Sequence, residues 1–187
     1  MDFASIQQQI SEAGSEAEQS SMPPVDRWDP EFCGNMNLVI KRSGQWWHEG
    51  TPFTRAKLIK LLASVLKKEG DDYFLVTPVE KIGIKVEDVP FIIIDDETND
   101  AGIQVKTQTG DTVTLGNKHK VELREFEGQL VPYCNIRRNL WARVHQNVLY
   151  RWVEQANELP LEGKTQLNLQ SGSYTFRAEQ FDADALV

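Results

Sequence analysis

The sequence predicts an α+β fold made of two small related units, and three observations carry that prediction. Broad apolar stripes with helical spacing occur twice, over residues 54–69 and 138–157. Short alternating segments bounded by Gly, Pro, Asn and Asp, which read as strands, surround each stripe. A pattern also recurs. Gly50-x-Pro52-Phe53-x-Arg55-x-x-Leu58 opens the first helix, and Gly128-x-x-x-Pro132-Tyr133-x-x-x-Arg137-x-x-Leu140 opens the second. The chain divides into a leader over 1–30, a first unit over 31–89 and a second over 90–187 that ends in an added hairpin. Its 187 residues suffice for two small cores.

The leader is rich in Ser, Glu and Gln and closes on PPVDRWDP. Phe3, Ile6 and Ile10 share a helical face, so a short helix should precede an extended proline segment and the rest should be partly flexible. Met36, Leu38 and Ile40 alternate with polar residues and predict a strand. Ser43-Gly44 turns it, and GQWWHE returns as a second strand. In TRAKLIKLLASVLKKEG, apolar residues at 58, 59, 61, 62, 65 and 66 form the stripe. Thr54 suits the N-cap, Lys67 and Lys68 suit the negative end of the helix dipole, and Gly70 suits the stop. YFLVTPVEKIGIKV reads as two strands broken at Pro78.

In the second unit, residues 91–94 predict a buried strand and DDETND a turn. GIQVKTQTGDTVTLG predicts a hairpin turning at Thr109-Gly110-Asp111, and HKVELRE and QLVPYCNI predict strands. A helix over Arg138 to Asn157 would carry Leu140, Val144, Val148, Trp152 and Ala156 on one row, with Trp141, Leu149 and Val153 beside them. Pro160 ends it. LNLQSGSYTFRAE closes the unit as a hairpin at Ser171-Gly172-Ser173, before an acidic tail.

Hydrophobic residues at 40% and charged residues at 26% are ordinary for a globular chain. No apolar run approaches the roughly 18–20 residues of a membrane helix, and the N-terminus lacks a secretion signal. The formal charge of −8 gives the long-range field the wrong sign for a nucleic-acid polymer or an anionic membrane face. Cys33 and Cys134 lie far apart and outside any CxxC motif, which suits free thiols in the cytoplasm.

Familiar chemical motifs fail on particular residues. His48-Glu49 begins like a zinc-protease motif, but Pro52 stands where the second histidine should be. His48, His119 and His145 have no metal-ligand spacing. Gly163-Lys164-Thr165 resembles the end of a phosphate loop, yet Glu158 and Pro160 spoil its start. The acidic run at 95–100 meets Ala101 and Thr107 where a calcium loop needs glycine and glutamate. Neither a nucleophile elbow nor a dinucleotide fingerprint occurs. No metal and no cofactor is expected.

The candidates are therefore binding residues. On a strand, Trp46 and His48 share one face and Trp47 and Glu49 the other. A Trp-His face could stack on a planar ligand, or both rings could simply cover the next helix. Arg55 stands in the first turn of its helix, where a cation opposes the dipole. It calls for Glu49, Glu80 or a bound anion. Arg137 and Arg138 repeat the situation at the second helix, and guanidinium forks recognise carboxylate or phosphate. His145 reads as a half-buried structural histidine, and Glu80-Lys81 as a local ion pair.

Cys33-Gly34-x-Met36, Trp47-His48-Glu49-Gly50-Thr51-Pro52-Phe53-x-Arg55, Leu75 to Lys81 and Val86 to Phe91 resemble a bacterial domain-of-unknown-function family. Pro132-Tyr133, Arg137 and Leu140 fit its second half, so the resemblance spans about 33–153. It implies a duplicated α+β core whose second unit is pleckstrin-homology-like, a partly open barrel or sheet capped by a long helix. It also implies a small anionic, nucleotide-like ligand between the units and a signalling or regulatory role. His145-Gln146-Asn147 departs from the family pattern, which has a basic residue there.

The favoured expectation is a cytoplasmic ligand-binding protein. Trp46, His48 and Tyr133 would supply planar contacts. Arg55, Lys81, Arg137 and Arg138 would hold the anion, with Glu49 and Glu80 beside them. An interaction module is the alternative. An enzyme using His48 and Glu49 as acid and base is the less favoured one, because strand alternation would point the two side chains apart.

Overall fold

The computed structural model describes residues 5–6, 8–10 and 22–182. Phe3, the polar stretch of the leader over 11–21 and the acidic tail over 183–187 lie outside the described residues. The chain forms two compact units, Met1–Asp88 and Val89–Val187. Both are mostly β, with few helices.

Unit 1 contains β1 (Phe32–Ile40), β2 (Trp46–His48), β3 (Thr51–Pro52), helix α1 (Ala56–Ser64), β4 (Leu66–Glu69), β5 (Asp72–Val76) and β6 (Lys81–Val86). They make one sheet in the order β3-β2-β1-β6-β5-β4. Only β1 and β6 run parallel. The connection they need is supplied by the hairpins and α1. Leu38, Ile40, Trp46, Leu62, Leu66 and Leu75 are fully buried and form its core. Residues 5–6 and 8–10 are helical. Ile6 and Ile10 are buried, so that helix is docked rather than frayed. Thr77 Oγ1 donates to Gln9 Oε1 at 2.8 Å, which ties it to the sheet.

Unit 2 contains β7 (Phe91–Asn99), β8 (Gly102–Thr107), β9 (Thr112–Thr114), β10 (Val121–Phe126), β11 (Gln129–Arg137), β12 (Leu140–Val144) and helix α2 (Gln146–Gln155). A second sheet follows, with β13 (Asn157–Leu161), β14 (Lys164–Ser171) and β15 (Tyr174–Asp182). The main sheet has the order β10-β11-β12-β7-β8-β9, with β7 parallel to β12 and every other pairing antiparallel. This is the plan of unit 1 strand for strand. The first strand lies parallel to the sixth, the second and third extend one flank, and the fifth and fourth extend the other. The units are related in topology.

The recurring Gly50 and Gly128 pattern marks something other than two equivalent helix starts. Glu49 and Gly50 have φ of 48° and 75°, and Glu127 and Gly128 have 52° and 81°. Each pair closes a two-residue hairpin, His48 opposite Thr51 and Phe126 opposite Gln129. Positive φ at both central residues is what a type I′ turn requires. A helix follows the first turn soon after, but the nine-residue strand β11 follows the second.

Three further expectations are corrected. The first helix ends at Ser64, and Leu66–Glu69 is strand. Gly70, φ 59°, turns the β4–β5 hairpin instead of capping a helix. The strand at 91–94 continues through DDETN to Asn99, with its register shifting between Ile93 and Asp95. The helix expected over 138–157 is two elements, β12 and then α2. Leu140, Ala142 and Val144 are buried at period two, and Val148 and Trp152 at period four. Leu140 and Val144 satisfy both periods, so the helical row absorbed a strand. His145 is the exposed N-cap of α2, its Nδ1 accepting from the Asn147 backbone N–H at 3.2 Å. None of the helices is long and apolar enough to cross a membrane among the described residues.

Candidate functional site

The residues proposed from sequence are scattered by the fold. Trp46 is 1% exposed in the core of unit 1, and Tyr133 is 1% exposed in the core of unit 2. Neither presents a face to a ligand. His48 stacks on Phe53, with centroids 6.1 Å apart and planes 12° apart. Its Nε2 lies 3.9 Å from Glu49 Oε1. The strand stops at His48, so the left-handed Glu49 escapes the alternation that would have turned it away. Glu49 also accepts from Asn37 Nδ2 at 3.1 Å.

Arg55 is the exposed N-cap of α1, and its side chain makes no cap bond. It lines a hollow of about 290 Å³ with Lys57, Leu58 and Leu61. Among the described residues neither Glu49 nor Glu80 reaches it. Glu80 instead accepts from Gln9 Nε2 at 3.3 Å. Standing outside the first turn and facing water, the Arg55 cation needs no protein partner.

Arg137 and Arg138 do not start a helix. They sit at the β11–β12 turn, where Arg138 has φ 51° and Asn135 Nδ2 donates to its carbonyl at 2.9 Å. Arg137 is paired with Asp111, and the two side chains are 13% and 9% exposed. Its guanidinium carbon lies 4.7 Å from the Phe91 ring centroid. Burial, with a smaller push from Arg138, lowers its pKa to about 10, so it stays charged at neutral pH. Thr109 and Thr107 hydroxyls donate to the other Asp111 oxygen at 2.7 and 3.2 Å.

Lys81 is the exception, because it borders an open groove. This groove of about 390 Å³ lies on one face of the unit 1 sheet. Phe32, Asn35, Asp72, Phe74, Lys81 and Gly83 line it. The register explains the placement. Phe32 lies opposite Lys81, Asn35 opposite Gly83, and Gly83 opposite Phe74, which in turn faces Lys67. Cross-strand partners point to the same face, so aromatic and ammonium groups converge there. The β1 register shifts on both sides of Asn35, a bulge that aims its amide across the neighbouring strand. Gly83 makes room for it, since a Cβ there would come within 2.0 Å of Asn35 Oδ1.

Phe32 is 56% exposed and meets Phe74 edge-on, centroids 6.1 Å apart and planes at 86°. Lys81 Nζ sits 4.5 Å over the Phe74 ring and also pairs with Glu69. Lys67 Nζ meets the other Glu69 oxygen at 3.0 Å. The hydrogen bond from Lys81, then that from Lys67, holds the Glu69 carboxyl below the usual carboxylate range. Two ammonium groups therefore share one carboxylate, and each keeps further N–H donors. Among the described residues no cluster of His, Cys, Asp and Glu could hold a metal ion.

Of the earlier candidates only Lys81 belongs to this groove. Phe32, Asn35, Asp72, Phe74 and Gly83, which line it, were missed, as was Glu69, which pairs with Lys81. One signal was available. Lys81-x-Gly83-x-Lys85 places two lysines on one strand face around a glycine, and a glycine inside a strand marks close approach of another group.

Two family profiles match adjoining stretches of the chain. Residues 23–89 match "Domain of unknown function (DUF1285), N-terminal domain", and residues 90–178 match "Protein of unknown function (DUF1285), C-terminal domain". A DUF1285 family protein from Silicibacter pomeroyi DSS-3, with a crystal structure at 2.50 Å resolution, is 30% identical with a TM-score of 0.78. The match covers 93% of this chain and 96% of that one. A DUF1285 family protein from Shewanella baltica OS155, solved at 1.40 Å, is 31% identical with a TM-score of 0.53, over 65% of this chain and 94% of that one. No curated protein matches. The bacterial family resembled by the Trp47–Arg55 and Leu75–Lys81 strings is the same one, and this chain, with both domains in order, belongs to the DUF1285 family.

Proposed function

We propose that the protein binds a small anionic ligand carrying a planar ring, of nucleotide type, in the groove of unit 1, and that it acts by binding in a regulatory role. One observation carries this reading: the exposed Phe32 ring and Lys81, over Phe74, face the same open groove. An exposed phenyl ring beside a second aromatic offers a planar seat. Lys81 and Lys67 offer ammonium donors to an anion, and the Asn35 amide offers both a donor and an acceptor. The volume suits a small molecule. The reading requires no bond-making step.

Unit 2 we read as pleckstrin-homology-like. A helix, α2, follows the last strand of its six-stranded sheet and packs against β7. Superposition of that unit on solved pleckstrin homology domains is the check. Failure to match strand for strand removes the likeness without touching the groove.

Binding is tested by thermal shift and by equilibrium dialysis with AMP, ATP, GTP and inorganic phosphate. A ligand that binds only the native state raises Tm by mass action. At least one nucleotide should raise it, with phosphate weaker. Lys81→Ala and Phe32→Ala should each abolish the shift. Unchanged Tm with all four probes, or a shift that survives both substitutions, rules the groove out.

A further inference from the structure

We propose that unit 2 carries a second binding site, one that takes a small amphiphilic amine with an ammonium head on an aliphatic stem. The site is a groove of about 470 Å³ bordered by α2, the β10–β11 hairpin and β15. It shares no residue with the groove of unit 1 and does not depend on it.

The walls are apolar. Leu149 and Val153 come from α2 at helical spacing, and Val131 comes from β11. Phe126 carries the Arg143 guanidinium on its ring, with the guanidinium carbon 3.6 Å from the centroid. Tyr150, 57% exposed, stands at the side, and its hydroxyl accepts from Gln146 Nε2. This lining suits an aliphatic stem, since apolar contact is what the groove offers in bulk.

The charges select the head. Glu127 and Glu179 line the groove, and Arg143 is its only lining cation. Glu179 is half-buried, and among the described residues its carboxylate has no hydrogen bond or ion pair. An ionised carboxylate is an acceptor-only group, open here to a charged donor. An ammonium group entering the groove would supply a charge-assisted donor to it. An anionic head would instead meet the Glu179 carboxylate, and the one lining guanidinium is already held against Phe126. The geometry therefore places the head at Glu179 on β15 and the stem along Leu149 and Val153.

The test uses the full chain and three probes of equal stem: n-octylammonium, n-octanol and n-octanoate. Calorimetric titration at neutral pH should rank the ammonium about tenfold tighter than the alcohol, with the carboxylate weakest. Methyl NMR shifts should fall on Leu149 and Val153. Glu179→Gln should reduce the ammonium to the level of the alcohol, and Glu179→Lys should invert the order in favour of octanoate. Unchanged thermal melts of both variants show that the fold is kept. Equal binding of alcohol and ammonium by the native chain overturns the proposal. So does a preference that survives Glu179→Gln, shifts located elsewhere, or no binding by any probe.

Discussion

Replacing Asp111 by asparagine tests whether Arg137 is an internal counter-ion or a cation held ready for a ligand. The Asp111 carboxylate is 9% exposed and receives the Arg137 guanidinium on one oxygen. The other oxygen takes Thr109 Oγ1 at 2.7 Å and Thr107 Oγ1 at 3.2 Å. Asp111→Asn keeps the shape and one acceptor but removes the charge. Its amide N–H then faces either a guanidinium or two hydroxyls that had been donating. Breaking a buried ion pair by removing one partner costs about 3–5 kcal/mol. Arg137 is 13% exposed and keeps some access to water, which puts the estimate near the lower end, about 3 kcal/mol. At roughly 2–4 °C per kcal/mol for a chain of this size, Tm should fall by about 6–12 °C. Urea denaturation followed by Trp fluorescence, with calorimetry for Tm, measures it. Pairing the change with Arg137→Met should recover part of the loss, because the stranded charge is then gone. A single-variant cost under about 1 kcal/mol would show that the pair is worth no more than a surface bridge. Arg137 would then be available for anion binding after all.

Gly83→Ala adds a methyl 2.0 Å from Asn35 Oδ1, the far end of a flexible side chain. The amide should swing into the groove. Stability should change by less than about 1 kcal/mol, while nucleotide binding in unit 1 is lost. A collapse in Tm would mean that the amide is fixed. Glu69 has a depressed folded pKa through Lys81 and then Lys67. Its pairing therefore stabilises the fold above the unfolded carboxylate range and is lost as pH falls through the folded value. With the Glu69 side chain 37% exposed, solvent screens the effect to under about 1 kcal/mol. Protonation also releases Lys81 and Lys67, so anion affinity should climb as pH falls through that depressed folded value. Glu69→Gln should produce the same gain at neutral pH, and equal affinity in dialysis would sever Lys81 from the anion. Ser171 is buried, accepts from the Ile103 N–H at 2.8 Å and donates to the Leu115 carbonyl at 2.8 Å. Ser171→Ala strands both backbone groups at about 1–3 kcal/mol each. An unchanged urea midpoint would show that water replaces the hydroxyl.

Local signals in the sequence were legible where the chain alone determines the outcome. The turn at Ser43-Gly44, the strands on either side of it and the apolar stripe of α1 follow from residues that lie within a few positions of one another, although the N-cap is Arg55 and not the expected Thr54. Type I′ turns, strand alternation and helix stripes are short-range physics. The failures share a different cause. Leu140 and Val144 fit a helix and a strand equally well, and only their neighbours in the sheet decide between the two. Two of the cationic candidates show the same limit. Arg137 and Lys81 were chosen for their places on their own elements, but each is paired with a carboxylate from another one. Asp111 reaches Arg137 across 26 residues, and Glu69 reaches Lys81 across 12. Sequence spacing says which side chains carry charge and nothing about which of them the fold has already neutralised.

The groove in unit 1 lies further still from what a linear pattern can express. It exists because β1 and β6, parallel and distant in the chain, bring Asn35 over Gly83 and Phe32 beside Lys81. Parallel pairing gives no turn signal, since the connection runs through two hairpins and a helix. The glycine was visible at 83, yet its purpose depends on the bulge at Asn35, which belongs to another strand. The same parallel contact, β7 with β12, organises unit 2. There, however, the corresponding strands carry Ala142, Phe91 and Val144 in the core, and the apolar groove opens elsewhere, beneath α2. Two units with one strand order thus present different surfaces. Duplication of the sheet plan constrains where the hydrogen bonds run, and the side chains on its open faces are left to diverge. Likeness of topology therefore gives no ground for expecting the same ligand in both units, and each groove has to be argued from its own charges.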